Sequence, residues 1–223
     1  MDELPFIDLL KQKRNIPYQY PHPLKNAVQN EKLRVLAIAS STGGTDALEV
    51  ILRDLPADCI PVVIVQHMPA GFTGILAERL NSISEMEVKE ASDGDILKQG
   101  LALIAPADSH MRLNLRGGNL VVECFIGERV FGLMPAADIL FESISRIIRD
   151  KALGVVLTGM GGDGAEGLLK MRRQGARTIA QDKDSSVVYG MPKKAFEIGA
   201  AEFVLPLERI AEKIIDLYSC RAY

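Results

Sequence analysis

The chain carries four short apolar runs with almost no polar interruption: Leu33 to Ala39, Pro61 to Val65, Leu101 to Ala105 and Leu153 to Leu157. A strand with one wet face alternates apolar and polar residues, so runs this uniform demand burial on both faces, the hallmark of a parallel sheet covered by helices. Helical patterns follow in the right places: Gly43–Leu55, Phe72–Leu80, Asp138–Arg149, Ala165–Arg173, Lys193–Ile198 and Leu207–Tyr218. Weaker strand patterns at Glu87–Glu90, Thr178–Gln181 and Phe203–Leu205 extend the series. The expected fold is α/β, doubly wound, with a mostly parallel sheet and helices on both faces. One segment breaks the alternation: Met111–Leu115, a turn at Arg116-Gly-Gly-Asn119, and Leu120–Phe125 read as an antiparallel β-hairpin appendage.

Composition narrows the class. With 26 basic against 29 acidic residues the net charge is −3, which gives no global reason to expect nucleic acid, whose backbone demands a basic face. No apolar run approaches the ~20 residues of a membrane span, so the protein is not expected to be membrane-embedded. The acidic start Met1-Asp-Glu-Leu4 lacks the basic region of a secretory signal. Three unspaced cysteines, Cys59, Cys124 and Cys220, suit a reducing, cytoplasmic compartment. No His/Cys set stands at metal-ligand spacing, and neither a metal nor an organic cofactor is implied. Residues 1–32, with Pro17, Pro21 and Pro23, read as an N-terminal arm or linker.

Open α/β sheets bind ligands beyond the carboxyl ends of their strands. Three candidates follow core strands. Ser40-Ser41-Thr42-Gly43-Gly44 fits a nucleophile turn, a phosphate cradle at a helix N-terminus or a plain tight turn. His67, directly after the second strand, fits a general base or a structural strand cap. Asp163, in Thr158-Gly-Met-Gly-Gly-Asp-Gly164, fits a carboxylate that orients a histidine or a cap of the next helix. Together the three point to a serine hydrolase or a phosphate-binding domain.

The motifs carry a resemblance. Ile38-Ala-Ser-Ser-Thr-Gly-Gly-Thr45, Val65-Gln-His-Met-Pro69, Ala105-Pro-Ala-Asp-Ser-His-Met111, Leu157-Thr-Gly-Met-Gly-Gly-Asp-Gly-Ala165 and Ser186-Val-Val-Tyr-Gly-Met-Pro192 resemble, in order, the signature segments of the chemotaxis protein-glutamate methylesterases, the CheB family. The resemblance covers about residues 33–220 and implies a catalytic domain over 33–223, with no receiver domain ahead of it. It implies a serine hydrolase that removes methyl esters from chemoreceptor glutamates, an activity many members extend to deamidation of receptor glutamines. By that likeness Ser41 is the nucleophile, His67 the base and Asp163 its orienting carboxylate. Met160, through its N–H, and Thr42 are the oxyanion or substrate-binding residues. The implied partner is the cytoplasmic domain of a methylated chemoreceptor, with a separate receiver domain or regulator as a second partner, and the expected state is a monomer.

Two departures stand out. Ala39-Ser40 replaces the family's Gly-Ala, which leaves two adjacent serines, and Gly132–Phe141 lacks the basic residue and the serine of its family counterpart. A different class of protein, a non-catalytic regulatory or ligand-binding module that keeps the fold, is the alternative, and a hydrolase of other acyl groups is a third. His110 reads as structural before substrate-binding. Lys170, Arg172, Arg173 and Arg177 read as a solvated helix face before an acidic-partner surface.

Overall fold

The computed structural model describes residues 34–219. The chain divides into Met1–Asn30 and Glu31–Tyr223, and every described residue belongs to the second unit. The arm expected at 1–32 therefore lies outside the described residues.

Seven parallel strands form one sheet in the order β3-β4-β2-β1-β7-β8-β9. They are β1 (Val35–Ser40), β2 (Val62–Gln66), β3 (Glu87–Glu90), β4 (Leu101–Ile104), β7 (Ala152–Val156), β8 (Arg177–Gln181) and β9 (Phe203–Leu205). The first strand in sequence is thus the middle strand in space, paired with β2 from Leu36↔Val62 and with β7 from Val35↔Ala152. Six α-helices are described: α1 (Gly44–Asp54), α2 (Thr73–Ile83), α3 (Ala137–Ile147), α4 (Ala165–Arg173), α5 (Met191–Glu197) and α6 (Leu207–Ser219).

The uniform apolar runs resolve into two cores because successive side chains leave a strand on opposite faces. Leu36, Ile38, Val62 and Ile64 pack with α1, α2 and α6. Val35, Ala37, Ala39, Val63 and Val65 pack with α3, α4 and α5. Where α4 crosses β7, this second face carries a glycine because the helix comes close. A Cβ on Gly154 of β7 would fall 2.5 Å from Leu168 Cδ1 of α4.

The hairpin, β5 (His110–Arg116) and β6 (Asn119–Phe125), is a separate antiparallel sheet as expected. It is also more than an appendage. Met111, Leu113, Leu120 and Val122 are buried in the core shared with α3, and the Leu113 N–H donates to Ser143 Oγ of α3 at 3.0 Å.

The turn after β1 enters α1 on one face, while the turn after β7 enters α4 on the other. Neighbouring strands whose connections part in this way open a crevice at their carboxyl ends. Ser41 follows β1, Asp163 follows β7, and His67 follows β2 on the far side of β1.

Candidate active site

Ser40 still belongs to β1 and is fully buried, whereas Ser41 begins the turn and is partly exposed. The turn closes when the Gly44 N–H donates to the Ser41 carbonyl at 2.8 Å. Gly43 sits at φ +78°, a left-handed conformation that suits glycine, and a Cβ there would also strike Val187 at 2.6 Å. The Ser41 N–H donates to the Thr158 carbonyl at 3.0 Å, which ties the serine turn to the loop after β7.

That loop is pressed against the serine. A Cβ on Gly159 would lie 2.7 Å from Ser41 Cβ, so only glycine allows the approach. The next residue, Met160, is 75% exposed. Its N–H, like that of Thr42, has no hydrogen-bond partner among the described residues. Ser41 Oγ likewise makes no hydrogen bond within the described residues.

Asp163 and His67 meet. Asp163 Oδ2 lies 2.8 Å from His67 Nε2, with side-chain exposures of 1% and 9%. Three backbone N–H groups also donate to the carboxylate: Ala137 to Oδ2 at 2.6 Å, and Asp138 and Gly164 to Oδ1 at 3.0 Å each. Burial alone would raise the Asp163 pKa. The His67 bond and the Ala137 and Asp138 amides outweigh it and hold the carboxyl below its usual range. An ionised carboxylate only accepts, so His67 donates from Nε2 and its Nδ1 keeps a lone pair for a proton.

The sequence left Asp163 between orienting a histidine and capping the helix after it. The structure shows it at the start of a different helix, α3, 26 residues upstream. The N-cap of α3, Ala136, provides no side-chain bond, and Asp163 supplies the anion for that helix terminus from across the fold.

A buried polar layer runs beneath these residues at the tips of neighbouring strands. Ser40 Oγ donates to Gln66 Oε1 at 2.6 Å, and Gln66 Nε2 donates to the carbonyls of Ser41 and His67, both at 2.9 Å. Thr158 Oγ1 donates to the Thr42 carbonyl at 2.9 Å and accepts from the Val188 N–H at 2.9 Å. The Thr158 N–H donates to Gln181 Oε1 at 2.8 Å. Sequence reasoning did not single out Gln66, Thr158 or Gln181. For Gln66 the available signal was a lone polar residue ending an otherwise apolar strand.

His110 is fully buried. Its Nδ1 accepts from the Ala136 N–H at 3.2 Å and its Nε2 donates to the Glu128 carbonyl at 2.9 Å. It therefore fastens the segment ahead of α3 and touches no open surface. Of the basic residues, Lys170 pairs with Glu142 at 2.7 Å, Arg172 donates to the carbonyls of Gly199 and Ala201, and Arg177 grips Glu202 with two nitrogens. Those partners account for three of the four cations within the fold.

Cys59 and Cys124 are free, and burial pushes each thiol up to about 11, far from a thiolate nucleophile at neutral pH. Among the described residues no group of three or more His, Cys, Asp or Glu is placed to hold a metal ion, and no helix is long and apolar enough to cross a membrane. Two shallow hollows, of about 310 and 340 Å³, lie elsewhere, one bordered by Arg34, Pro61, Lys98 and Asn119 and the other by Phe203, Arg209 and Lys213. Neither adjoins the His67–Asp163 pair.

These features define an open α/β sheet protein with a carboxylate–imidazole pair and a serine turn at its switch point. Comparison with known proteins is specific. The CheB methylesterase family profile matches residues 36–214. A protein-glutamate methylesterase/protein-glutamine glutaminase of Sulfurimonas denitrificans is 52% identical over 188 residues, which cover 84% of this chain and 53% of that protein. A second such protein, from Pseudomonas aeruginosa, is 50% identical over 183 residues, covering 82% and 52%. The crystal structure of the Thermotoga maritima CheB methylesterase catalytic domain superposes with a TM-score of 0.81 at 43% identity, over 82% of this chain and 98% of that domain. The chain belongs to the CheB methylesterase family. It spans about half the length of the curated relatives it matches.

Proposed function

We propose that this chain is a serine-dependent protein-glutamate methylesterase, with Ser41 as nucleophile, His67 as base and then acid, and Asp163 as the carboxylate that orients His67. The observation that carries the reading is the four-donor grip on Asp163, which keeps the carboxylate ionised and leaves His67 Nδ1 as the proton acceptor.

In the first half-reaction Ser41 Oγ attacks the ester carbonyl while its proton passes to His67. The imidazolium that forms is stabilised by the buried Asp163 charge. The Met160 N–H and Thr42 are the donors for the developing oxyanion, an interaction worth about 3 kcal/mol per donor where it has been measured in other hydrolases. Collapse of the adduct expels methanol, which takes its proton from His67. Water then attacks the acyl-enzyme, His67 accepts its proton and returns it to Ser41, and a glutamate carboxylate is released. A glutamine side chain follows the same route with ammonia as the leaving group, and relatives named as glutaminases support that second activity.

The substrate in this proposal is the cytoplasmic domain of a methylated chemoreceptor, and a receiver domain or other regulator is a second partner. The catalytic domain spans 33–223, works as a monomer in the cytoplasm, and requires no metal or organic cofactor.

The test is methanol release from carboxyl-methylated chemoreceptor by the chain and by its Ser41→Ala variant. Release by the parent and a loss of ~10⁴-fold or more in the variant is the expected result. No release by the folded parent overturns the receptor-esterase reading and leaves other acyl esters, then a binding module.

A further inference from the structure

We infer that Gln66 is a positioning residue that locks the nucleophile to the base, and that Ser40 steadies it by holding the other end of its amide. The inference rests on the roles proposed above for Ser41 and His67.

Gln66 ends β2 and is 2% exposed, so its amide has no water to satisfy it. All of its bonding is spent on two residues of the site and one neighbour. Its Nε2 donates one hydrogen to the Ser41 carbonyl and the other to the His67 carbonyl, each at 2.9 Å. One planar group thus spans the serine on one strand end and the histidine on the next. The link is reinforced by the His67 N–H, which donates to the Ser40 carbonyl at 3.0 Å.

An amide placed between two carbonyls works in one orientation only. Rotated by half a turn, its oxygen would face the oxygens of Ser41 and His67. Those two carbonyls only accept, so they exclude that orientation, and the Ser40 hydroxyl stabilises the one that remains. Fully buried in β1, Ser40 donates to Gln66 Oε1 at 2.6 Å, which anchors the amide oxygen while its two N–H groups hold the site. Gly44 leaves room for this arrangement, since a Cβ there would fall 2.2 Å from Gln66 Oε1 and 2.6 Å from Ser40 Cβ. Ser40, the other serine of the pair, therefore works beneath the nucleophile and does not compete with it.

The experiment uses the full chain and two readouts. One is the rate of covalent labelling by a fluorophosphonate probe, with the labelled residue located by peptide mass mapping. The other is kcat and KM for methanol release from methylated receptor. Gln66→Met keeps the volume and removes every bond, and Ser40→Ala removes only the hydroxyl. Labelling of the parent at Ser41 is expected. Gln66→Met should lower labelling and kcat by about a hundredfold with KM within about twofold, because lost alignment acts on the chemical step. Ser40→Ala should lower both by about three- to tenfold with thermal unfolding little changed. A folded Gln66→Met variant that labels as fast as the parent overturns the inference. If that variant does not fold, Ser40→Ala decides: parental labelling overturns the inference, and a loss confined to kcat supports it. A parent unlabelled at Ser41 instead overturns the functional reading itself, a distinguishable failure.

Discussion

The carboxyl edge of the sheet and the β5–β6 hairpin are both fastened to the rest of the fold, but by opposite means. The hairpin is held by buried apolar side chains, Met111, Leu113, Leu120 and Val122, and carries its charges outside. There Arg112 and Arg116 surround Glu123 at exposed positions, where such pairs contribute about 0–1 kcal/mol. At the carboxyl edge the order is reversed. Ser40, Gln66, Thr158, Asp163 and Gln181 are polar and buried, and each has a directed partner. Apolar contacts are undirected, and trimming one costs buried area and leaves a cavity. Directed bonds fix atoms in place, and losing one leaves a buried group unpaired. The difference separates a region that supplies stability from one that supplies geometry.

The largest effect that would break this division is expected at Asp163. Asp163→Asn preserves shape but offers an amide to a site ringed by four donors and removes the charge bonded to His67. Methanol release should fall by about 10³–10⁴-fold, and a fall of less than tenfold would mean that the edge does not fix catalytic geometry in the way described. The converse test is Leu113→Ala on the hairpin. It should cost about 2–5 kcal/mol by urea unfolding while kcat per folded molecule stays within about twofold. A matching collapse of kcat would abolish the distinction between the regions.

A smaller effect sharpens the picture at Asp138, whose carboxyl accepts from the Gly167 N–H beside Asp163. Burial, with the Asp163 charge as a lesser cause, pushes its pKa up to about 6. The folded state therefore binds this proton more tightly than the unfolded one. Its contribution to stability is fully present below about pH 4 and declines as pH rises through 6. Relative to the parent, Asp138→Asn should be stabilised at pH 8 by about 1 kcal/mol after allowance for solvent screening, and by less at pH 5. Urea midpoints at the two pH values measure it, and an equal difference at both would remove burial of charge as the cause.

The smallest effect is expected where the regions join. His110 begins β5 and bonds to Ala136, one residue before the amides that hold Asp163. His110→Asn keeps an acceptor near the Nδ1 position, while His110→Gln keeps a donor near Nε2. If the hairpin steadies the edge through this bond, the Gln variant should lose about fivefold more kcat than the Asn variant, the worth of one hydrogen bond. Equal kcat values would confine His110 to the hairpin.

Much of this fold was legible in advance because it depends on repetition. Runs such as Pro61–Val65 declare burial on both faces, and Met191–Glu197 differs from the expected Lys193–Ile198 by only two residues at its start. The positions of Ser41, His67 and Asp163 after strands were legible for the same reason. Their connections were not. Gln66 is one polar residue at the end of one strand, and no periodicity announces what it will hold. Asp163 looks like the cap of the helix that follows it, yet it serves one formed 26 residues earlier, a relation that exists only after folding. The hairpin read as an appendage because its alternating pattern reveals one buried face but not that α3 would cover it.

The parting of the connections after β1 and β7 to opposite faces bears finally on stiffness. The serine is rooted in the layer that contains α1, and the carboxylate in the layer that contains α4, so no single loop carries both. What spans them is the sheet itself, where five residues of β1 lie in register with five of β7, from Val35↔Ala152 to Ala39↔Val156. The two ends of the constellation share a rigid floor. Loop motions can open or close the approach to such a site, but they have little leverage over the spacing of what stands on it.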